Sequence, residues 1–155
     1  VQVPYEQLKH NVAQMMKETS AKSADIVEFP KEPATKHILV IDDEVAVNNN
    51  IRKILVKKGY HVDQAVTKEE ALNKIESQPY KLILLDLKIP GVKGLELLRT
   101  IRDKNAEAKV IMITGYASIE TAVEAARIGA VDYIPKPFTP DEIRNATDKA
   151  FAIAA

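Results

Sequence analysis

The sequence predicts a doubly wound α/β sandwich, a parallel sheet with helices on both faces. Short uninterrupted apolar runs occur at Ile38-Leu-Val-Ile41, Leu82-Ile-Leu-Leu85 and Val110-Ile-Met-Ile113, and such runs suit strands buried on both faces. The segments between them carry apolar residues at helical spacing. Strand and helix alternate five times with short connections, the pattern of consecutive βα units. At 155 residues the chain is long enough for one domain with a real core and too short for two ordinary ones.

Residues 1–36 read differently from residues 37–155. Tyr5, Leu8, Val12, Met15 and Met16 recur at helical spacing and Pro4 suits a first turn, so a helix is expected near residues 4–18. Thr19 to Lys36 mixes Ser, Thr, Lys and Glu with two prolines, which reads as a linker. This N-terminal helical extension suits a dimerising coiled coil, the tail of a preceding domain, or a helix docked on the main domain. Its stripe is too short to choose among them. The start at Val1, without an initiator Met, fits an excised fragment or a processed chain.

The main domain opens on the first apolar run, followed by a helix with Ile51, Ile54, Leu55 and Lys58 on one stripe. Tyr60 to Val66 is interrupted by His61, Asp63 and Gln64 and reads as an edge strand. Thr67 with Glu70 forms a capping box for a helix bearing Ala71, Leu72 and Ile75. After the third strand, Leu95, Leu98 and Ile101 mark another helix, and after the fourth, Ile119, Ala122, Val123 and Ala126 mark the next. Val131-Asp-Tyr-Ile134 has the mixed character of a second edge. Thr139-Pro-Asp-Glu142 then caps a last helix with Ile143, Thr147, Ala150 and Phe151 on one face.

Composition narrows the function. The apolar fraction of 46% and charged fraction of 28% are those of a folded globular domain. Basic and acidic residues both number 22, so no global field steers the chain toward nucleic acid or an anionic membrane, and no direct contact with either is expected. There is no cysteine, which excludes disulfides and thiolate chemistry and fits a cytoplasmic setting. No apolar run approaches the ~20 residues that span a bilayer.

Ligands of such a sheet bind beyond the carboxyl ends of its strands. The first predicted strand ends in Asp42-Asp43-Glu44, the third in Asp86 and the fourth in Thr114, and the fifth is followed by Lys136. Asp43 and Asp86 at one edge would repel each other in a partly desolvated cleft. A hard divalent cation relieves that repulsion, and oxygen-only ligands favour Mg²⁺ over zinc. Asp86 is then a candidate nucleophile for a phosphoryl group, with the hydroxyl and the ammonium available to its remaining oxygens.

The runs Ile41-Asp-Asp-Glu44, Leu85-Asp86-Leu-Lys-Ile-Pro90-Gly-Val-Lys-Gly94, Ile113-Thr-Gly-Tyr116 and Asp132-Tyr-Ile-Pro-Lys-Pro-Phe138, in this order, closely resemble the two-component receiver family. The stretch from Gly129 to Phe138 is most similar to receivers of transcription activators. The resemblance covers residues 37–155 and implies a flavodoxin-like (βα)5 fold with a five-stranded parallel sheet in the order 2-1-3-4-5. It implies Asp86 as phosphoacceptor, Asp42, Asp43, Asp86 and the main-chain carbonyl of Lys88 as Mg²⁺ ligands, and Thr114 and Lys136 on the phosphoryl oxygens. Thr114 and Tyr133 would form the switch, and the Lys136–Pro137 peptide would be cis. The implied phosphodonor is a histidine kinase or a phosphotransfer protein. A homodimer and an output domain outside this chain are further partners consistent with the family. Such a module is a signalling switch rather than an enzyme: it catalyses only its own phosphorylation and dephosphorylation. Its output would be a repacked surface of fourth helix, fifth strand and fifth helix, including Ile119, Val123, Tyr133 and Phe138.

Plainer readings stand beside these. Asp42, Asp43 and Glu44 could cap the following helix, Thr114 before Gly115 could serve a turn, and Tyr133 could be an ordinary edge-strand aromatic. His10 reads as a surface histidine, and Lys53, Lys57 and Lys58 as a solvated helix face. Lys88 and Tyr116 flank the phosphate site. A pseudo-receiver acting as a docking module would lack one of the acidic or basic site residues, and all are present. A flavodoxin-like electron carrier needs a hydroxyl- and glycine-rich phosphate loop where Asp42-Asp43-Glu44 stands. A phosphatase with an aspartyl nucleophile commonly places it after the first strand and carries a cap for which there is little room.

Overall fold

The apolar runs become the middle of a five-stranded parallel sheet. The computed structural model describes residues 37–153, so the expected helix at residues 4–18 and the linker at 19–36 lie outside the described residues. In chain order the elements are β1 (His37–Ile41), α1 (Val45–Lys57), β2 (His61–Ala65), α2 (Lys68–Ser77), β3 (Leu82–Leu85), α3 (Glu96–Lys104), β4 (Lys109–Thr114), α4 (Ile119–Ile128), β5 (Asp132–Pro135) and α5 (Pro140–Ala152). The strand order is β2-β1-β3-β4-β5, with every pair parallel. Both mixed-character strands, β2 and β5, lie at the edges, where one side has no ladder partner among the described residues and polar residues carry less desolvation penalty.

Two cores sandwich the sheet. On one face Leu39, Ile41, Ile83, Leu85, Val110 and Met112 pack with α2, α3 and α4. On the other Ile38, Val40, Leu82, Leu84, Ile111 and Ile113 pack with α1 and α5. Alternate residues of one strand thus feed opposite layers, which is why the central strands lack polar interruptions.

The caps follow the sequence with one adjustment. At α5, Thr139 and Glu142 form a reciprocal capping box with Pro140 at the first helical position. At α2, the Thr67 hydroxyl accepts the Glu70 amide, but the Glu70 carboxylate accepts the amide of Val66 at 2.7 Å rather than that of Thr67. The side chain reaches one residue further back and ties the end of β2 to the helix.

The described domain starts and finishes at the same sheet edge. β1 starts at the amino edge, and α5 runs back to it: Phe151 and Ile153 share a cavity with Lys81 and Lys109, the residues at the amino ends of β3 and β4. The carboxyl ends of the strands face the opposite way.

Candidate functional site

At the carboxyl edge the strand-end residues converge. Asp42 follows β1 directly, and its amide bonds the Ala65 carbonyl at 3.2 Å. Asp86 follows β3, with its amide on the Ile41 carbonyl at 3.0 Å. Oxygens of Asp42, Asp43 and Asp86 all lie within 4.8 Å of one another. Asp42 and Asp86 are buried while Asp43 is half-exposed. Lys136 reaches across from the end of β5, its own amide bonded to the Thr114 carbonyl at 2.8 Å. Its Nζ lies 2.9 Å from Asp42 Oδ2, 2.8 Å from Glu44 Oε1 and 3.2 Å from Asp86 Oδ2.

The electrostatics follow from burial. Desolvation pushes the Asp42 carboxyl up to about 6, reinforced by the neighbouring Asp86 charge and opposed by Lys136 and the Glu44 amide. For Lys136, burial works to lower the pKa, but the neighbouring carboxylates of Glu44, Asp42 and Asp86 outweigh it, holding the ammonium charged. Lys136 Nζ donates in good alignment to Glu44 and Asp86. Its contact with Asp42 Oδ2 is short but poorly aligned, leaving that buried oxygen without a well-formed hydrogen bond. Clustered carboxylates, an oxygen with spare capacity and, among the described residues, no histidine or cysteine in the cluster fit a hard divalent cation.

The remaining predicted residues sit around this cluster in different ways. Thr114 is fully buried at the end of β4, and its hydroxyl accepts the Tyr116 amide at 3.0 Å. The plainer turn reading of Thr114 therefore describes this conformation, in which the hydroxyl is engaged by its own loop. The amide of Lys88 points to Asp86 Oδ1 at 3.3 Å, while its ammonium lies 4.9 Å from the centre of the Tyr116 ring. Tyr133 is not in the acidic cluster: its hydroxyl is 2.5 Å from Thr121 Oγ1 and 3.4 Å from the Ser118 amide, at the start of α4. Helix capping does not explain the acidic run, because Glu44 occupies the N-cap of α1 without a side-chain cap bond. Asp42 Oδ1 instead accepts the Glu44 amide at 2.9 Å. The Lys136–Pro137 peptide is cis.

Two participants went unrecognised in the sequence. Glu44 stood there as a third acid, with nothing to show that it pairs with Lys136. Asn48 is a polar residue on the stripe of Ile51 and Leu55, and it is fully buried against the loop that carries Asp42.

The family model of the response regulator receiver domain matches residues 38–148. The chain belongs to that family. Receivers of two-component systems are signalling proteins that share an acidic Mg²⁺ pocket and an aspartyl phosphate, and this receiver carries an aspartate cluster at the carboxyl edge of its sheet. It is 34% identical to the sporulation initiation phosphotransferase F of Bacillus subtilis, covering 72% of this chain and 90% of that protein. Among solved structures it is similar to a CheY-like response regulator receiver domain protein from Methanospirillum hungatei, at 39% identity and a TM-score of 0.70, covering 76% of this chain and 94% of that one. It is also similar to a response regulator from Burkholderia pseudomallei solved with a phosphorylated aspartic acid, a calcium ion and citrate, at 33% identity and a TM-score of 0.66, covering 76% and 73% of the two chains. The receiver spans 62% of some longer regulators that it matches and 26% of others. Among the described residues no helix is long and apolar enough to cross a membrane.

Proposed function

We propose that this receiver is a phosphorylation switch whose acceptor is Asp86. The observation that carries the reading is the convergence of Asp42, Asp43 and Asp86 with the Lys136 ammonium at the carboxyl edge of the sheet. Asp86 sits at the end of a central strand, buried but adjoining the open loops. An Asp86 carboxylate oxygen attacks phosphorus, and the bond from phosphorus to the donor's leaving atom breaks. The leaving group departs with the bonding electron pair and takes its proton from water or donor. Asp42, Asp43, Asp86 and the main-chain carbonyl of Lys88 are the proposed ligands of Mg²⁺, which when bound neutralises carboxylate repulsion and developing phosphoryl charge.

The protein's own residues do the positioning. Lys136, already held between Glu44 and Asp86, has only to shift among acceptors to meet a phosphoryl oxygen. Thr114 exchanges its bond from the Tyr116 amide for one to another phosphoryl oxygen. Movement of Thr114 and its loop releases the Tyr133 hydroxyl from Thr121 and frees the ring to turn inward, so the surface of α4, β5 and α5 repacks. Ile119 and Val123 are exposed there and would change neighbours on partner or dimer contact. The donor class is a histidine kinase or a phosphotransfer protein, and the output acts through a partner, a second copy or an attached domain. A cytoplasmic setting fits this chemistry.

Intact-mass spectrometry after incubation with acetyl phosphate tests the reading. One phosphoryl group, dependent on Mg²⁺ and absent from Asp86→Asn, is the expected result. If no adduct forms and beryllofluoride also fails to bind, the docking-module reading replaces this one.

A further inference from the structure

We infer that Asn48 is a positioning residue for the acidic loop, fixing the path of Asp42 to Glu44 and so setting the affinity of the carboxylates for Mg²⁺. The inference rests on the receiver-site reading above. Asn48 lies in the first turn of α1, on the face whose next members are Ile51 and Leu55, and it is fully buried. An apolar residue is what that stripe calls for. A buried amide is tolerated there only with its donors and acceptor satisfied.

The partners are those of a brace. Nδ2 donates to the Asp42 carbonyl at 2.9 Å and to the Ala65 carbonyl at 3.0 Å, with Val40 O a longer contact at 3.4 Å. Oδ1 accepts from Gln64 Nε2 at 2.9 Å. The carbonyl of Asp42 lies one residue past the last β1–β2 register pair, Ile41 with Ala65, so the side chain replaces the ladder where the sheet ends. The backbone amide of Asn48 bonds the Glu44 carbonyl at 3.0 Å. The side chain therefore holds the loop at Asp42, while the main-chain bond to Glu44 is the ordinary i→i−4 bond that starts α1. The amide orientation is also determined: reversal would set Oδ1 against carbonyl oxygens.

Positioning differs from general stabilisation in what it changes. A misplaced Asp42 binds metal less tightly even in a folded protein, and supports of metal ligands are typically worth about ten- to a hundredfold in affinity. The test is a calorimetric Mg²⁺ titration of the full chain as wild type, Asn48→Ala and Tyr80→Phe. Tyr80→Phe removes a bond to Asp63 on β2, away from the acidic loop. Asn48→Ala is expected to weaken Mg²⁺ binding roughly tenfold and to raise the Mg²⁺ needed for half-maximal phosphorylation equally, with the plateau retained. Tyr80→Phe is expected to lower the melting temperature and leave Mg²⁺ binding unchanged. An Asn48→Ala protein that melts lower but binds Mg²⁺ like wild type overturns the inference. If Asn48→Ala does not fold, Gln64→Leu, which frees Oδ1 of Asn48, decides: weaker Mg²⁺ binding supports the positioning role and unchanged binding overturns it. A wild-type chain that binds no Mg²⁺ overturns the site reading itself, and this inference with it.

Discussion

Lys136 Nζ stands 2.9 Å from Asp42 Oδ2, and this ammonium is the common neighbour of Asp42, Glu44 and Asp86. It holds together carboxylates that would otherwise repel. Lys136→Met should destabilise the protein by about 3 kcal/mol in metal-free buffer, because it leaves buried carboxylates without their cation. Saturating Mg²⁺ should restore most of that loss. Urea unfolding with chelator and with Mg²⁺ measures both; equal losses in the two buffers would show that metal and lysine do not share these carboxylates.

The raised pKa of Asp42 gives a pH dependence with a definite sign. Between its usual 3.8 and about 6 the folded protein holds a proton that the unfolded chain has released. The contribution of this group to metal-free stability therefore falls as pH rises through that window and is flat above it. Mg²⁺ binding needs the ionised carboxylate, so the rise in melting temperature on adding Mg²⁺ should be large at pH 7.5 and shrink as pH falls below 6. A rise of the same size at pH 5 would exclude Asp42 as a ligand.

Much of this was legible in the sequence, for a physical reason. Buried parallel strands announce themselves as unbroken apolar runs, so Ile38–Ile41, Leu82–Leu85 and Val110–Ile113 located the sheet, and the residue after each run located its carboxyl edge. The lateral contacts were not legible. That Glu44 completes the Lys136 cluster depends on a contact between residues 92 positions apart. The bond of Tyr133 to Thr121 depends on how α4 lies against β5. Asn48 did leave a trace, a polar residue on an apolar stripe, which marks a place where the core meets something that needs a donor.

The bond between Tyr133 and Thr121 should be measurable as a coupling. Tyr133→Phe and Thr121→Val should each cost about 1 kcal/mol. The double variant should cost less than the sum, with a coupling of at least about 0.5 kcal/mol. Either single change should also speed amide exchange at Ser118 and Ile119, where the tyrosine hydroxyl meets the helix start. Strict additivity would mean that the hydroxyls contribute independently.

Core and site should separate experimentally. Ile101 of α3 is fully buried, in the layer with Leu98 and Met112. Ile101→Ala should cost about 2–5 kcal/mol of stability by removing methyl groups from close packing. Its Mg²⁺ affinity and phosphoryl uptake should stay at wild-type levels under conditions where it remains folded. A parallel loss of Mg²⁺ affinity would mean that the acidic loops depend on α3 packing.

Because β1 begins and α5 ends at the amino edge, polypeptide enters and leaves this domain on the side away from Asp86. Cargo spliced to either end of the described domain would be attached on the side away from Asp86. The same module can thus be rewired to different neighbours in evolution or by design, with its input port kept intact. Under the proposed switch, the flank of α4, β5 and α5 is what carries the signal to whatever the receiver controls.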